Sequence, residues 1–313
     1  MAANGQIPKN ILVFGATGVI GKYIVQELYE AKSSFEKVGI FTSPSTAETK
    51  KTEVNSLKEK GIDVIVGDVQ SKVDVAKAYK GYDTVISALG RNAILSQIPL
   101  LELAEESSSI RYFYPSEYGT DIEFGPSSAF EKPHQLKLQI RKYIRENIRK
   151  LNVTYLVTGP YSDLYFAPAS TDNRVGSFNV REQKATLLGT GNEKVSFTTM
   201  KDVGRLLVAA LTTPTSIPER ILKVNSFTTT GNEVLAEFER QTSATWGVSY
   251  TPLDELKRLE KEAWERGDGT VFTLRRIWTE GGTLYKERSN GDIGFEGEES
   301  LEEQIGKMIA NYG

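Results

Sequence analysis

Short apolar runs alternate with helical patterns through the first half of the chain. The runs fall at residues 11–14, 37–41, 63–66, 84–87, 111–114 and 153–157. Unbroken apolar runs of this length predict strands covered on both faces of a parallel sheet. Between them, residues 46–60, 72–79, 96–106 and 132–149 show the spacing of amphipathic helices. The alternation predicts an α/β fold built on a doubly wound parallel sheet. Beyond Gly159 the pattern becomes irregular. Residues 161–179 are rich in aromatic and small side chains and read as loop, while 201–211 and 231–241 read as helices. Residues 221–224 suit another strand, and 253–267 and 299–311 suit charged amphipathic helices. No clean linker divides the chain. The expected organisation is a sheet domain over residues 1–158 and a smaller region over 159–313, partly interleaved with the sheet.

The first apolar run ends in Gly15-Ala16-Thr17-Gly18-Val19-Ile20-Gly21, and Ile20, Ile24, Val25 and Leu28 then continue at helical spacing. Strand, glycine turn and helix in that order form a cradle for a dinucleotide pyrophosphate, the mark of a Rossmann-type domain. Gly15 suits the tight turn, Gly18 the close approach of backbone to phosphate, and Gly21 the packing of helix on strand. Free amides from Thr17 to Ile20, helped by the helix dipole, would face the anion. An NAD-preferring domain places an acid at the end of its second strand. Here that strand ends Phe41-Thr42-Ser43-Pro44-Ser45, without one. Thr42 and Ser43, with countercharge from Lys50 or Lys51, instead suit a 2′-phosphate, and the expected cofactor is NADP(H). Asp68, after the third strand, serves either the adenine edge or as a helix N-cap. Ser87-Ala88-Leu89-Gly90, after the fourth, suits the nicotinamide half.

Composition narrows the chemistry further. The 313 residues carry 38 basic and 41 acidic side chains, a net charge of −3, so nothing draws the chain to nucleic acid or an anionic membrane. There is no cysteine, and His134 is the single histidine, which excludes thiol chemistry and multi-histidine metal sites. No metal is expected. The polar opening, Met1 to Gln6, lacks a signal-peptide core, and a cytoplasmic monomer or homodimer is the expectation.

Together with the glycine turn, four further segments carry a resemblance. They are Gly67-Asp68, Val85-Ile86-Ser87-Ala88, Pro115-Ser116-Glu117-Tyr118-Gly119, and the stretch from Lys137 through Arg141. The chain resembles the isoflavone reductase-like, or NmrA-like, group of atypical short-chain dehydrogenases, with a fungal member favoured. Leu187-Leu188-Gly189-Thr190-Gly191, Val195-Ser196-Phe197 and Asp202-Val203-Gly204 continue it. The resemblance implies NADPH as hydride donor and an aromatic, phenylpropanoid-like small molecule as acceptor. It also implies a nicotinamide site that includes Pro115 and Ser116. Thr42 stands where the plant enzymes commonly carry an arginine, and residues 161–180 do not match their substrate loops, so their substrates do not carry over.

Ordinary short-chain dehydrogenases use Tyr-x-x-x-Lys, yet none of the 14 tyrosines here has a lysine four residues on. The resemblance places the functional lysine at Lys137, to relay a proton or anchor the nicotinamide ribose. Burial beside a nicotinamide would bring its pKa toward neutrality. His134, one helical turn earlier, shares the task or serves as a polar surface or cap residue. Ser116 acts at the site or as a turn cap, and Glu117 at the site or in a salt bridge. Tyr118, Tyr161, Tyr165 and Phe166 are the expected substrate wall, with plain core as the alternative for such a cluster. Trp278 and Tyr285 are candidates to close the site. A rival from another class is a redox-sensing regulator that binds the dinucleotide without catalysis. A closed cavity with Lys137 in its wall would favour the reductase. A sugar-nucleotide epimerase is disfavoured by the missing Tyr-x-x-x-Lys.

Overall fold

The computed structural model describes residues 7–169 and 172–313. The polar opening at residues 1–6 lies outside the described residues. The first half runs β1 (Asn10–Phe14), α1 (Gly21–Glu30), β2 (Lys37–Thr42), α2 (Pro44–Thr49), α3 (Lys51–Glu59), β3 (Asp63–Val66), α4 (Lys72–Ala78) and β4 (Thr84–Ser87). It continues through α5 (Gln97–Glu106), β5 (Tyr112–Tyr114), α6 (Gln135–Asn147) and β6 (Asn152–Val157). The second half contains α7 (Ser162–Tyr165), β7 (Ser177–Asn179), β8 (Lys184–Leu188), β9 (Lys194–Phe197), α8 (Met200–Thr212) and β10 (Glu219–Lys223). It ends with β11 (Phe227–Thr230), α9 (Gly231–Thr242), β12 (Gly247–Thr251), α10 (Leu253–Arg266), α11 (Thr270–Thr279) and α12 (Leu301–Tyr312).

The main sheet has seven strands in the order β10-β6-β5-β4-β1-β2-β3, all parallel. The order reverses between β1 and β4, and ligands of open α/β sheets bind at that crevice. Alternation along β1 feeds both layers. Ile11 and Val13 pack with Ile24, Leu28, Val203 and Leu207 of α1 and α8, whereas Leu12 and Phe14 pack with Leu100, Leu101, Ile140 and Ile144 of α5 and α6. Burying such side chains contributes about 1.5–3 kcal/mol each. The sheet is thus a Rossmann-type doubly wound sheet with helices on both faces.

Three expected segments differ in detail. Residues 161–179, read as loop, hold the short α7 and the strand β7. Residues 46–60 form two helices, because the backbone leaves helical angles at Lys50 (φ −115°, ψ 35°). The helix expected from residue 132 starts as a 3-10 turn and becomes α-helical at Gln135. The second half returns to the sheet through α8 and β10, with Glu219 opposite Val153 in β6. Asp202 ties α8 to that half: its carboxylate accepts from Ser226 Oγ at 2.6 Å and from the Glu299 amide at 2.8 Å. The rest of the second half builds its own aromatic core from Phe166, Phe178, Phe197, Phe238 and Trp246. Among the described residues no helix is long and apolar enough to cross a membrane.

Candidate active site

The turn between β1 and α1 is shaped by backbone contact alone. Gly15 has φ +80°, and a Cβ there would lie 2.5 Å from the Ala88 carbonyl oxygen. A Cβ on Gly21 would lie 2.0 Å from the Gly15 carbonyl oxygen. Only glycine fits either position. The Ala88 amide donates to the Phe14 carbonyl at 2.8 Å, so the exits of β1 and β4 are locked together at the switch point. The Gly18 amide is taken by the Gly15 carbonyl at 2.9 Å. It therefore closes the turn and is not among the free donors. Among the described residues no partner takes the amides of Thr17, Val19 and Ile20.

Lysine placement at the turn is decided by the break between α2 and α3. Lys50, at the break, donates its ammonium to the Thr17 carbonyl. Lys51 opens α3 as an exposed residue. Lys50, not Lys51, is therefore the cation beside the turn. Thr42 is buried, and the Ser43 hydroxyl caps α2, accepting from the Thr46 amide at 3.1 Å. Asp68 is exposed and accepts from the Gln70 amide at 2.9 Å. Its N-cap alternative does not hold, because Ser71 caps α4.

The exits of β4 and β5 are stapled by Ser116. Its hydroxyl donates to the Leu89 carbonyl and its amide to Gln97 Oε1, both at 2.8 Å. Ser87, fully buried at the end of β4, has a hydroxyl with no partner among the described residues. Gly90 meets no atom within 4 Å of a Cβ built there, so that exit is open. A glycine cradle, free amides, an adjoining lysine and an unsatisfied buried hydroxyl along one crevice fit the diphosphate and nicotinamide halves of a dinucleotide.

Glu117 makes the salt bridge foreseen as its alternative role. Its carboxylate takes Arg141 Nε at 2.8 Å and Nη2 at 2.6 Å, with both side chains buried. The Arg141 guanidinium also lies 4.6 Å from the centre of the Tyr155 ring. This pair anchors α6 to the segment after β5. The Glu117 carbonyl then receives the Lys137 ammonium. Burial, reinforced by Arg91 and Arg141 and opposed by Glu117, lowers the Lys137 pKa from 10.5 to about 8. His134 bonds through Nδ1 to the Ser128 carbonyl at 2.9 Å, and its buried Nε2 has no partner among the described residues. Nδ1 is therefore assigned the proton, and burial lowers the ring's pKa. A neutral imidazole thus keeps an acceptor lone pair on Nε2.

Lys137 and His134 both line a cavity of about 780 Å³ between the sheet's carboxyl edge and α11. Tyr118, Tyr161, Tyr165 and Trp278 line it too. Tyr161 donates its hydroxyl to the Tyr118 carbonyl, and burial raises the pKa of both phenols. Trp278 is held by a 2.8 Å bond from Nε1 to Thr120 Oγ1. Phe166, expected in the substrate wall, lies in the core instead. It is wholly buried in the second-half core, 4.9 Å from Phe197 between ring centres, and is absent from the cavity wall. Its neighbour Tyr165 takes the wall position because successive residues on the short α7 turn diverge. Tyr285 is absent from the wall as well and packs on Phe124. Arg91 and Arg275, in the wall, went unnoticed in the sequence, where no spacing marks them. A larger groove of about 1180 Å³ lies between α1, α8 and α12, but its lining is charged and contains neither Lys137 nor His134.

A doubly wound sheet with a glycine cradle at its switch point, beside an aromatic-walled cavity, is the architecture of a dinucleotide-binding protein. The NmrA-like family profile matches residues 8–268, and the chain belongs to that family. Among curated relatives, Isoflavone reductase homolog P3 of Arabidopsis thaliana is 28% identical over 258 residues, covering 81% of each chain. Oxidoreductase aprR of Aspergillus flavus is 30% identical over 259 residues, covering 82% of each. The fold matches a crystal structure of isoflavone reductase with a TM-score of 0.79 at 22% identity, over 96% of this chain and 100% of the other. It also matches the leucoanthocyanidin reductase–NADPH complex of Vitis vinifera, with a TM-score of 0.77 at 20% identity over 96% and 99%.

Proposed function

We propose that this protein reduces an aromatic small molecule with NADPH and that Lys137 manages the proton. It is an NADP-dependent oxidoreductase of the isoflavone reductase-like kind. Relatives named reductases, and a neighbour of the same fold in complex with NADPH, support that class. In this reading Gly15 and the amides of Thr17, Val19, Ile20 and Gly21 hold the diphosphate. Lys50 with Thr42 and Ser43 receives the 2′-phosphate, Asp68 borders the adenine edge, and Ser87, Ala88, Leu89, Gly90, Pro115 and Ser116 border the nicotinamide half. When bound, the cofactor supplies a hydride to an electron-poor carbon of the acceptor.

The observation that carries the reading is Lys137. Its ammonium is held by the Glu117 carbonyl in the cavity wall, and its lowered pKa of about 8 suits a proton donor near neutrality. Lys137 protonates an acceptor oxygen conjugated to the reduced carbon. His134 Nε2 accepts a hydrogen bond from a hydroxyl on the same ring. Tyr118, Tyr161, Tyr165 and Trp278 exclude water and pack on the ring face. The relative from Aspergillus flavus supports a fungal source. Lys137, held in the cavity wall by the Glu117 carbonyl rather than turned to solvent, supports this reading over a non-catalytic sensor.

The test is loss of reduced-nicotinamide absorbance against a panel of aromatic carbonyl and quinone-methide-like acceptors. Lys137→Ala is expected to lower kcat about 100-fold or more, in line with general-acid contributions, while the NADPH Kd moves only a few-fold. Undiminished turnover in that variant rejects the assignment.

A further inference from the structure

Two adjacent arginines on α11 have opposite surroundings. Arg276 is fully engaged: it reaches Glu260 at 2.5 Å, Glu131 at 2.7 Å and Glu280 at 2.9 Å. Arg275 is 7% exposed, yet among the described residues it has no carboxylate within ion-pair distance. Its Nη2 donates to the Tyr165 carbonyl at 3.2 Å, and its guanidinium lies over the Tyr165 ring, 3.5 Å from the ring centre. Nη1 is buried with no partner among the described residues. Arginine does not escape burial by losing its proton. A buried guanidinium without a counter-charge is therefore a standing cost, and one that an incoming anion removes.

Arg275 belongs to the cavity wall, as do Arg91 and Lys137. Among the described residues the one acid in that wall is Asp268, which is exposed and lies 3.6 Å from Arg266. The cavity interior is therefore electropositive as well as aromatic. Arg91 and Lys137 come from the sheet side, where their polar ends reach the Pro133 and Glu117 carbonyls. Arg275 comes from α11, held by Tyr165, with its free N–H groups uncommitted.

We propose that Arg275 anchors a carboxylate on the substrate, so that the compound accepted here is an aromatic acid rather than a neutral phenol. Its identity as a substrate rests on the reductase reading; its binding does not. Tyr165 packs against the guanidinium, whose remaining N–H groups supply a charge-assisted hydrogen bond to one carboxylate oxygen. The aromatic ring of the acid then lies among the tyrosines and Trp278.

The test is calorimetric titration of the NADP+-saturated protein, and of the cofactor-free protein, with benzoate, cinnamate and 4-hydroxyphenylacetate, each beside its primary amide. At least one acid is expected to bind tenfold or more tighter than its amide. Arg275→Met should erase that ratio while leaving amide binding in place, and Arg275→Lys should retain part of it. The NADPH Kd, measured separately, reports on folding and on the reductase reading without bearing on the ratio. Should Arg275→Met fail to fold, the wild-type ratio and the Arg275→Lys variant decide. Equal binding of acid and amide in every pair, no binding of any acid, or an unchanged ratio in Arg275→Met overturns the proposal.

Discussion

The turn after β1 takes its shape from residues 15–21 and one backbone neighbour, Ala88, while the cavity wall gathers Arg91, Lys137, Tyr161 and Arg275 from separate stretches of chain. The turn is made of backbone: φ angles, carbonyl contacts and amides with no partner. The cavity is made of side chains whose chemistry depends on burial. Lys137 is an ordinary lysine until Arg141 and Glu117 fasten its helix against the segment after β5. A backbone site tolerates no added atom, whereas a side-chain site tolerates shape changes and responds to charge.

The most damaging change belongs to the turn. Gly21→Val would put side-chain carbon against the Gly15 carbonyl, where even a Cβ would lie 2.0 Å away, so measurable NADPH binding should vanish in fluorescence titration. Gly125→Ala, outside the residues given to the cofactor, is the paired control. It meets no atom within 4 Å, and its NADPH Kd should stay within about twofold. If both variants bind alike, the turn is not a backbone-shaped site.

Next comes the support of the cavity. Arg141→Met leaves Glu117 as a buried, uncompensated carboxylate and should lower unfolding stability by about 3–5 kcal/mol in denaturant titration. A loss below about 1 kcal/mol would mean that the Glu117–Arg141 pair does not hold the Pro115–Gly119 segment in place.

The third effect is a pH dependence. As a proton donor, Lys137 must be charged, so turnover should fall about tenfold per pH unit above about pH 8, and Lys137→Met should lack that limb. Stability moves the other way. The folded chain releases this proton near pH 8, the unfolded chain near 10.5. Between those values the unfolded state binds more protons, so this residue's contribution to stability rises with pH and is lost as pH falls toward 8. Lys137→Met should flatten the rise in stability between pH 8 and 10.5.

The smallest effect separates neighbouring lysines. Lys50→Ala should weaken NADPH several-fold, because its ammonium adjoins Thr17, while Lys51→Ala should change the Kd by less than about twofold. The reverse order would return the countercharge to Lys51.

Local patterns along the chain already contained the parallel sheet, the strand–turn–helix at Gly15–Gly21 and the absence of an acid after β2, because periodicity and glycine geometry act over a few neighbouring residues. Lys137 needed more: its helical spacing looks like that of any exposed lysine, and only likeness to a family singled it out. Packing alone decided that Tyr165 faces the cavity and Phe166 the core, that the break at Lys50 carries that lysine to the turn, and that Arg275 is left without an acid beside Arg276, which has three. Such choices depend on which remote elements meet, and neither residue type nor spacing encodes that meeting in a window short enough to read.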